Sequence, residues 1–199
     1  MFSYLALGDS YTIGEGVLLS DTYPYQFVQL LRRTGHAVHA PEIIARTGWT
    51  TDELAHAIAQ TRLLPHYDIV TLLIGVNNQY RGRDLQEYGE QFEKLLHQAI
   101  RLARPAGKVF VLSIPDWGVS PFAAAQAKDS NAIATAINSF NTLAQQITAE
   151  QGLPFIDITT HGRTLVSPAD FVADGLHPSA AQYAGWAKQL ANAFGDTPQ

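Results

Sequence analysis

The chain has 199 residues, of which 46% are hydrophobic and 16% charged, a formal net charge of −5 at neutral pH and no cysteine. That balance excludes a disordered chain and argues against nucleic acid or an anionic membrane surface as the main partner. It also removes disulfides, thiolate metal sites and a cysteine nucleophile from consideration.

Phe2 to Leu7 is a short apolar run that reads as a buried strand, ended by Gly8. Asp9 and Ser10 then fall on the turn leaving it, followed by the flexible Ile13-Gly14-Glu15-Gly16-Val17 loop. Thr22 to Arg33 predicts a helix with Pro24 in its first turn, a Phe27, Leu30, Leu31 stripe and Gly35 at its end. Ala37 to Ala45 is a weaker candidate strand broken by Pro41, and Arg46-Thr47-Gly48-Trp49 is a second loop. Thr50-x-x-Glu53 is a capping box that opens a helix through Leu54, Ala57 and Ile58. Tyr67 to Ile74 is the strongest strand, its near-continuous apolar run suiting burial on both faces.

A third loop is expected over Gly75 to Gly82, then a long helix from Asp84 to Ala103 that Pro105-Ala106-Gly107 stops. Val109 to Ile114 predicts another strand, running into a loop from Pro115 to Phe122. Asn131 to Glu150 predicts a helix with Ile133, Ile137, Phe140, Leu143, Ala144 and Ile147 on one stripe, and Phe155 to Ile158 a short strand. A last loop runs from Thr159 to His177. The closing helix starts with Pro178 and a Ser179-x-x-Gln182 box and runs to about Phe194. Alternating strands and helices predict one domain spanning residues 1–199, a three-layer α/β/α sandwich on a mainly parallel, five-stranded sheet.

The loops after the strands carry the chemistry. In such a sheet, ligands bind at the carboxyl ends of the strands, which is where Ser10 falls as a candidate nucleophile. Taken alone, Gly8-Asp9-Ser10-Tyr11-Thr12 is equally well turn chemistry before a helix, with Asp9 or Ser10 as a cap. In Asp174-Gly175-Leu176-His177-Pro178, a carboxylate three residues before a histidine can bond one ring nitrogen and leave the other to accept a proton. A second Asp-His pair, Asp157 and His161, makes His161 a rival base. Asn77 offers a side-chain NH2 to an anionic oxygen, or else a simple Asn77-Asn78 turn. Gly48 offers a bare backbone N–H.

In their joint order, Gly8-Asp9-Ser10-Tyr11, Gly48, Gly75-Val76-Asn77 and Asp174-Gly175-Leu176-His177-Pro178 resemble the motif blocks of the SGNH hydrolases, also called GDSL esterases and lipases. The resemblance implies a flavodoxin-like sandwich and an acyl-ester hydrolase without metal or cofactor. It implies Ser10 as nucleophile, His177 as base and Asp174 as its orienting carboxylate. The implied oxyanion hole is the Ser10 N–H, the Gly48 N–H and the Asn77 side chain. One departure concerns the residue after Asn77: the family often has Asp there, and this chain has Asn78, which leaves open how the Asn77 loop is braced.

Several alternatives remain. The Gly8-to-Gly16 turn could cradle a phosphate as in FMN-binding flavodoxin-like modules, although Gly-x-Gly-x-x-Gly is absent there. No serine has the Gly-x-Ser-x-Gly setting of the ordinary α/β-hydrolase fold. The substrate is expected to be a small-molecule ester with a small acyl group, a thioesterase or lysophospholipase-like activity being the alternative. Trp117, Val119 and Phe122 are candidate acyl-pocket residues, with Tyr80 and Arg81 toward the alcohol side. No window approaches 18 apolar residues, so no transmembrane segment is expected. No basic n-region precedes Phe2, which predicts a cytoplasmic protein if the chain is complete.

Overall fold

The computed structural model describes residues 1–196. Its elements are β1 (Tyr4–Asp9), α1 (Ser10–Ile13), α2 (Tyr23–Arg33), β2 (Glu42–Arg46), α3 (Thr51–Gln60), β3 (Tyr67–Leu73), α4 (Val76–Tyr80) and α5 (Leu85–Leu102). There follow β4 (Ala103–Leu112), α6 (Pro121–Ala125), α7 (Ser130–Glu150), β5 (Phe155–Ile156), α8 (Thr159–Gly162) and α9 (Ala180–Asp196).

The five strands pair in the order β2-β1-β3-β4-β5, every pair parallel. Leu7 at the centre of β1 sits opposite Ile44 of β2 and Leu72 of β3. The chain leaves β1 toward one edge and later passes β1 to start β3 on its other side. Right-handed crossovers in these two directions place their helices on opposite faces. Accordingly α2 packs with α9, while α3, α5 and α7 pack in succession. The α/β/α sandwich expected from the alternating pattern is what forms.

Burial on both faces explains the composition of the central strands. All of β1 is buried, and β3 is buried except at Asp68, as a sheet covered by two helix layers requires. Tyr4, Tyr23, Phe27, Tyr88, Phe92, Phe110, Tyr183 and Trp186 fill the two layers. The tyrosines need hydrogen-bond partners there, and Thr71 in β3 meets two of them, at 2.9 Å from the Tyr4 hydroxyl and 3.3 Å from that of Tyr23.

Several local readings change, the first strand among them, which runs through Gly8 as Tyr4–Asp9. The weak strand starts only after Pro41, the segment before it contributing a single bridge between Phe2 and Val38. β4 begins at Ala103, directly after α5, and absorbs the Pro105-Ala106-Gly107 segment through a register shift between Tyr67 and Ile69. β5 is only two residues long. The loop after β3 holds a helical turn, α4. The Ser179-x-x-Gln182 box does not form: the Gln182 amide and the Ser179 N–H both donate to the Asp170 carbonyl, each at 2.8 Å, and Ser179 Oγ has no partner.

Candidate active site

The order β2-β1-β3 makes the β1/β3 boundary a topological switch point, where a crevice opens beyond the carboxyl ends of the strands. Ser10 follows β1 and Asn77 follows β3 at that boundary. A pocket of about 180 Å³ lies there, lined by Ser10, Tyr11, Thr47, Gly48, Val76, Asn77, Tyr80, Trp117, Phe122, Leu176 and His177. Residues from both ends of the chain and from the loops after β1, β2, β3 and β4 thus share one crevice. Val119 is not among its walls.

Ser10 is the first residue of α1, and its N–H, like others in a first helical turn, has no acceptor within the helix. Gly8 before it has no room for a side chain, because a Cβ would fall on Thr12 Oγ1 and on the Leu73 carbonyl. Asp9 does act as the cap, its Oδ1 accepting the Tyr11 N–H at 3.0 Å. It is wholly buried and its Oδ2 has no partner. Burial pushes its carboxyl up to about 7, against the lowering effect of the Tyr11 N–H.

Around Gly48 the backbone forms a tight turn. The Trp49 N–H donates to the Arg46 carbonyl at 3.2 Å, Gly48 has φ of 85°, and Thr47 is not among the positive-φ residues. These values define a type II turn with Gly48 at its third position, the place that requires positive φ. The Gly48 N–H therefore belongs to the central peptide of the turn.

The Asn77 Nδ2 donates to the Trp49 carbonyl at 3.0 Å, which fixes the amide's orientation and leaves its second N–H for another acceptor. Trp117 comes from the loop after β4. Its indole N–H donates to Gln79 Oε1 at 2.7 Å, and its ring meets Tyr80 edge-on at 5.2 Å. That loop is held from below by Asp116, whose Oδ1 accepts the Gly118 N–H at 2.9 Å and whose Oδ2 accepts from Arg163 Nε at 2.8 Å.

His177 is buried and Asp174 half-exposed. Asp174 Oδ1 accepts the Leu176 and His177 N–H groups at 2.7 and 2.9 Å, and Oδ2 accepts from His177 Nδ1 at 2.6 Å. Burial opposes ionisation of this carboxyl, but those bonds outweigh it and hold it below the ordinary carboxylate range. With Nδ1 as donor, Nε2 is the nitrogen left unprotonated in the neutral ring. The Tyr11 ring packs on the imidazole at 5.4 Å. The Phe122 N–H donates to the Gly175 carbonyl at 2.9 Å, tying the His177 turn to the Trp117 loop.

The rival base is elsewhere. His161 lies against Gly185 of α9, and Asp157 bonds the N–H and hydroxyl of Thr160 instead. Sequence reasoning missed Tyr11 under the imidazole, the Val76, Leu176 and Thr47 walls, and the bracing by Asn78 described below. Among the described residues, no group of three His, Cys, Asp or Glu side chains is placed to hold a metal ion, and no helix is long and apolar enough to cross a membrane.

Comparisons with known proteins bear on the family and the fold. The profile of the GDSL-like Lipase/Acylhydrolase family matches residues 6–185. No curated protein matches the chain. Among solved structures, a lipase/acylhydrolase from Enterococcus faecalis superposes with a TM-score of 0.76 at 21% identity, covering 98% of this chain and 95% of that one. A member of the lipolytic protein G-D-S-L family from Veillonella parvula does so at 0.72 and 19%, covering 99% and 100%. Axe2, an acetylxylan esterase from Geobacillus stearothermophilus, does so at 0.71 and 19%, covering 97% and 92%. At these identities the structures establish likeness of fold.

Proposed function

We propose, for a chain that belongs to the GDSL-like lipase/acylhydrolase family and is an ester hydrolase, that it acts as a serine esterase on carboxylic esters with small acyl groups. The observation that carries this reading is the convergence of Ser10, Gly48, Asn77 and His177 on one pocket, with Asp174 bonded behind His177.

In this mechanism His177 Nε2 takes the Ser10 hydroxyl proton as Oγ attacks the ester carbonyl carbon. Asp174 holds the ring in the tautomer that leaves Nε2 basic and stabilises the imidazolium once it forms. The carbonyl oxygen, now negative, is met by the Ser10 N–H, the Gly48 N–H and the free Asn77 amide hydrogen. Collapse expels the alcohol, which takes its proton from His177. Water, deprotonated by the same ring, then attacks the acyl-enzyme and releases the carboxylic acid.

Acyl size follows from volume. A cavity of about 150 Å³ holds a benzene ring, so the 180 Å³ pocket suits an acetyl to butyryl or aryl acyl group better than a long chain. Its walls of Val76, Trp117, Phe122 and Leu176 suit an apolar acyl group. Two measurements test the reading. A fluorophosphonate should label Ser10 and leave Ser10→Ala unlabelled. In a p-nitrophenyl ester series from two to sixteen carbons, activity should peak at the short end. Failure of Ser10 to label removes the nucleophile, and a long-chain optimum removes the small-acyl assignment.

A further inference from the structure

α4 does more than present Asn77. Asn78 is fully buried; its Oδ1 accepts the Thr51 N–H at 3.1 Å and its Nδ2 donates to Thr51 Oγ1 at 2.7 Å. The Thr51 hydroxyl in turn donates to Gln91 on α5. One helical turn further on, Arg81 Nη2 donates to the Gly48 carbonyl at 2.5 Å. Its Nη1 lies 3.4 Å from Glu53 Oε2, the carboxylate oxygen that also accepts the Thr50 N–H at 2.9 Å. With Asn77 on the Trp49 carbonyl, one short helix and its C-terminal cap Arg81 grip the backbone at positions 48, 49 and 51.

What this grip fixes is a two-state element. Type I and type II turns differ by a half rotation of the central peptide. Here that peptide carries the Gly48 N–H, so only one of the two forms can aim this donor at the pocket. A glycine at the third position tolerates both forms, and its own conformation cannot choose between them. Bonds to the Gly48 and Trp49 carbonyls, which follow that peptide, bias the choice by fixing the exit of the turn. A donor held in place before the charge develops costs no reorganisation during reaction, which is where its effect on rate arises.

We propose that Asn78 and Arg81 are positioning residues that lock the Arg46–Trp49 turn in the form presenting the Gly48 N–H. The inference rests on the oxyanion-hole reading above. It also answers how the Asn77 loop is braced without the Asp that often follows this asparagine: an amide both accepts from and donates to Thr51, where a carboxylate could only accept.

The test measures kcat and KM separately on p-nitrophenyl acetate for Arg81→Ala, Arg81→Lys and Asn78→Ala, with Asn77→Ala as reference and a thermal melt of each. Arg81 is 42% exposed in its side chain, so its variants should fold. A charged hydrogen bond of this kind is worth enough to lower kcat about tenfold in Arg81→Ala, with KM within about twofold and the melt nearly unchanged. Lys can still donate one bond to the Gly48 carbonyl and should recover part of the loss. Asn78→Ala should fall further, and if it does not fold, the Arg81 pair decides alone. A wild-type kcat in Arg81→Ala, equal losses in the Ala and Lys variants, or a loss confined to KM would overturn the proposal. If Asn77→Ala is crippled while both Arg81 variants turn over normally, only the positioning role fails. If Asn77→Ala itself is fully active, the oxyanion reading fails first.

Discussion

His177 and Asp174 form a closed turn in which one carboxylate does two jobs: Oδ1 accepts two backbone N–H groups, and Oδ2 accepts from the imidazole Nδ1 at 2.6 Å. This division predicts the effect of Asp174→Asn. The two N–H groups demand an oxygen, so the amide oxygen takes the Oδ1 place and the NH2 faces the ring. Nδ1 must then accept, the ring proton moves to Nε2, and the base is lost. Turnover of a p-nitrophenyl ester should fall by about 10⁴-fold, the size seen when a triad aspartate becomes an amide, with an unchanged circular dichroism spectrum. Activity within tenfold of wild type would place the base elsewhere.

Asn77→Ala removes one donor from the proposed oxyanion hole together with the bond to the Trp49 carbonyl. Losing a donor of this type costs about 3 kcal/mol, roughly a hundredfold or more in kcat. Losing the neutral bond to Trp49 costs only about 1 kcal/mol of stability. Steady-state kinetics and a urea melt on the same preparation should therefore show a large kinetic defect and a small shift in midpoint.

Asp9 predicts an unusual pH dependence of stability. Its carboxyl titrates at about 7 in the folded protein, against an ordinary 3.8 when unfolded. Between these values the folded state holds a proton that the unfolded state has lost. Stability attributable to Asp9 is therefore greatest below about pH 4, falls as pH rises toward 7, and is level above that. Asp9→Asn removes the titration. Its melting temperature, followed from pH 4.5 to 8, should lose this downward slope whatever the offset caused by burying an amide. An unchanged slope would assign the dependence to another group.

Arg163→Ala tests the support beneath Trp117. It strands the Asp116 carboxylate, whose side chain is only 2% exposed, with the Gly118 N–H as its remaining partner. Breaking a buried pair from one side costs about 3–5 kcal/mol. Arg163 is itself 31% exposed, so the lower end, about 3 kcal/mol, is expected in a denaturant melt. Asp116→Asn, which leaves no stranded charge, should cost less.

How much of this was legible in the sequence depends on the distance between partners. β3 and α5 could be read from their own residues, because burial on two faces leaves a continuous apolar run and burial on one stripe leaves a helical period. The His177 turn could be read because Asp174 is three residues away. By contrast, α4 looked like an Asn-Asn turn: what makes it a helix-borne clamp is Thr51, 27 residues earlier, which satisfies the buried Asn78 amide. The Ser179-x-x-Gln182 box failed for a related reason. The Asp170 carbonyl lies within reach of Gln182 and outcompetes the local partner. Pro105 and Gly107 read as stop signals, yet a register shift on the half-exposed start of β4 accommodates them.

The walls of the pocket yield the last prediction. Within the acyl series, each added methylene that finds apolar surface is worth up to about 0.8 kcal/mol, so kcat/KM should climb about fourfold per carbon until the 180 Å³ is filled and then drop. Phe122 is only partly buried and its backbone N–H, not its ring, ties the loop to Gly175. Phe122→Ala should therefore open the pocket without unseating the loop and move the optimum to longer acyl chains. Rates on acetyl esters should change little, since the shortest acyl group does not reach a deep wall. An optimum that stays put in Phe122→Ala would mean that the acyl group lies on another side of Ser10, toward Tyr80 and Thr47.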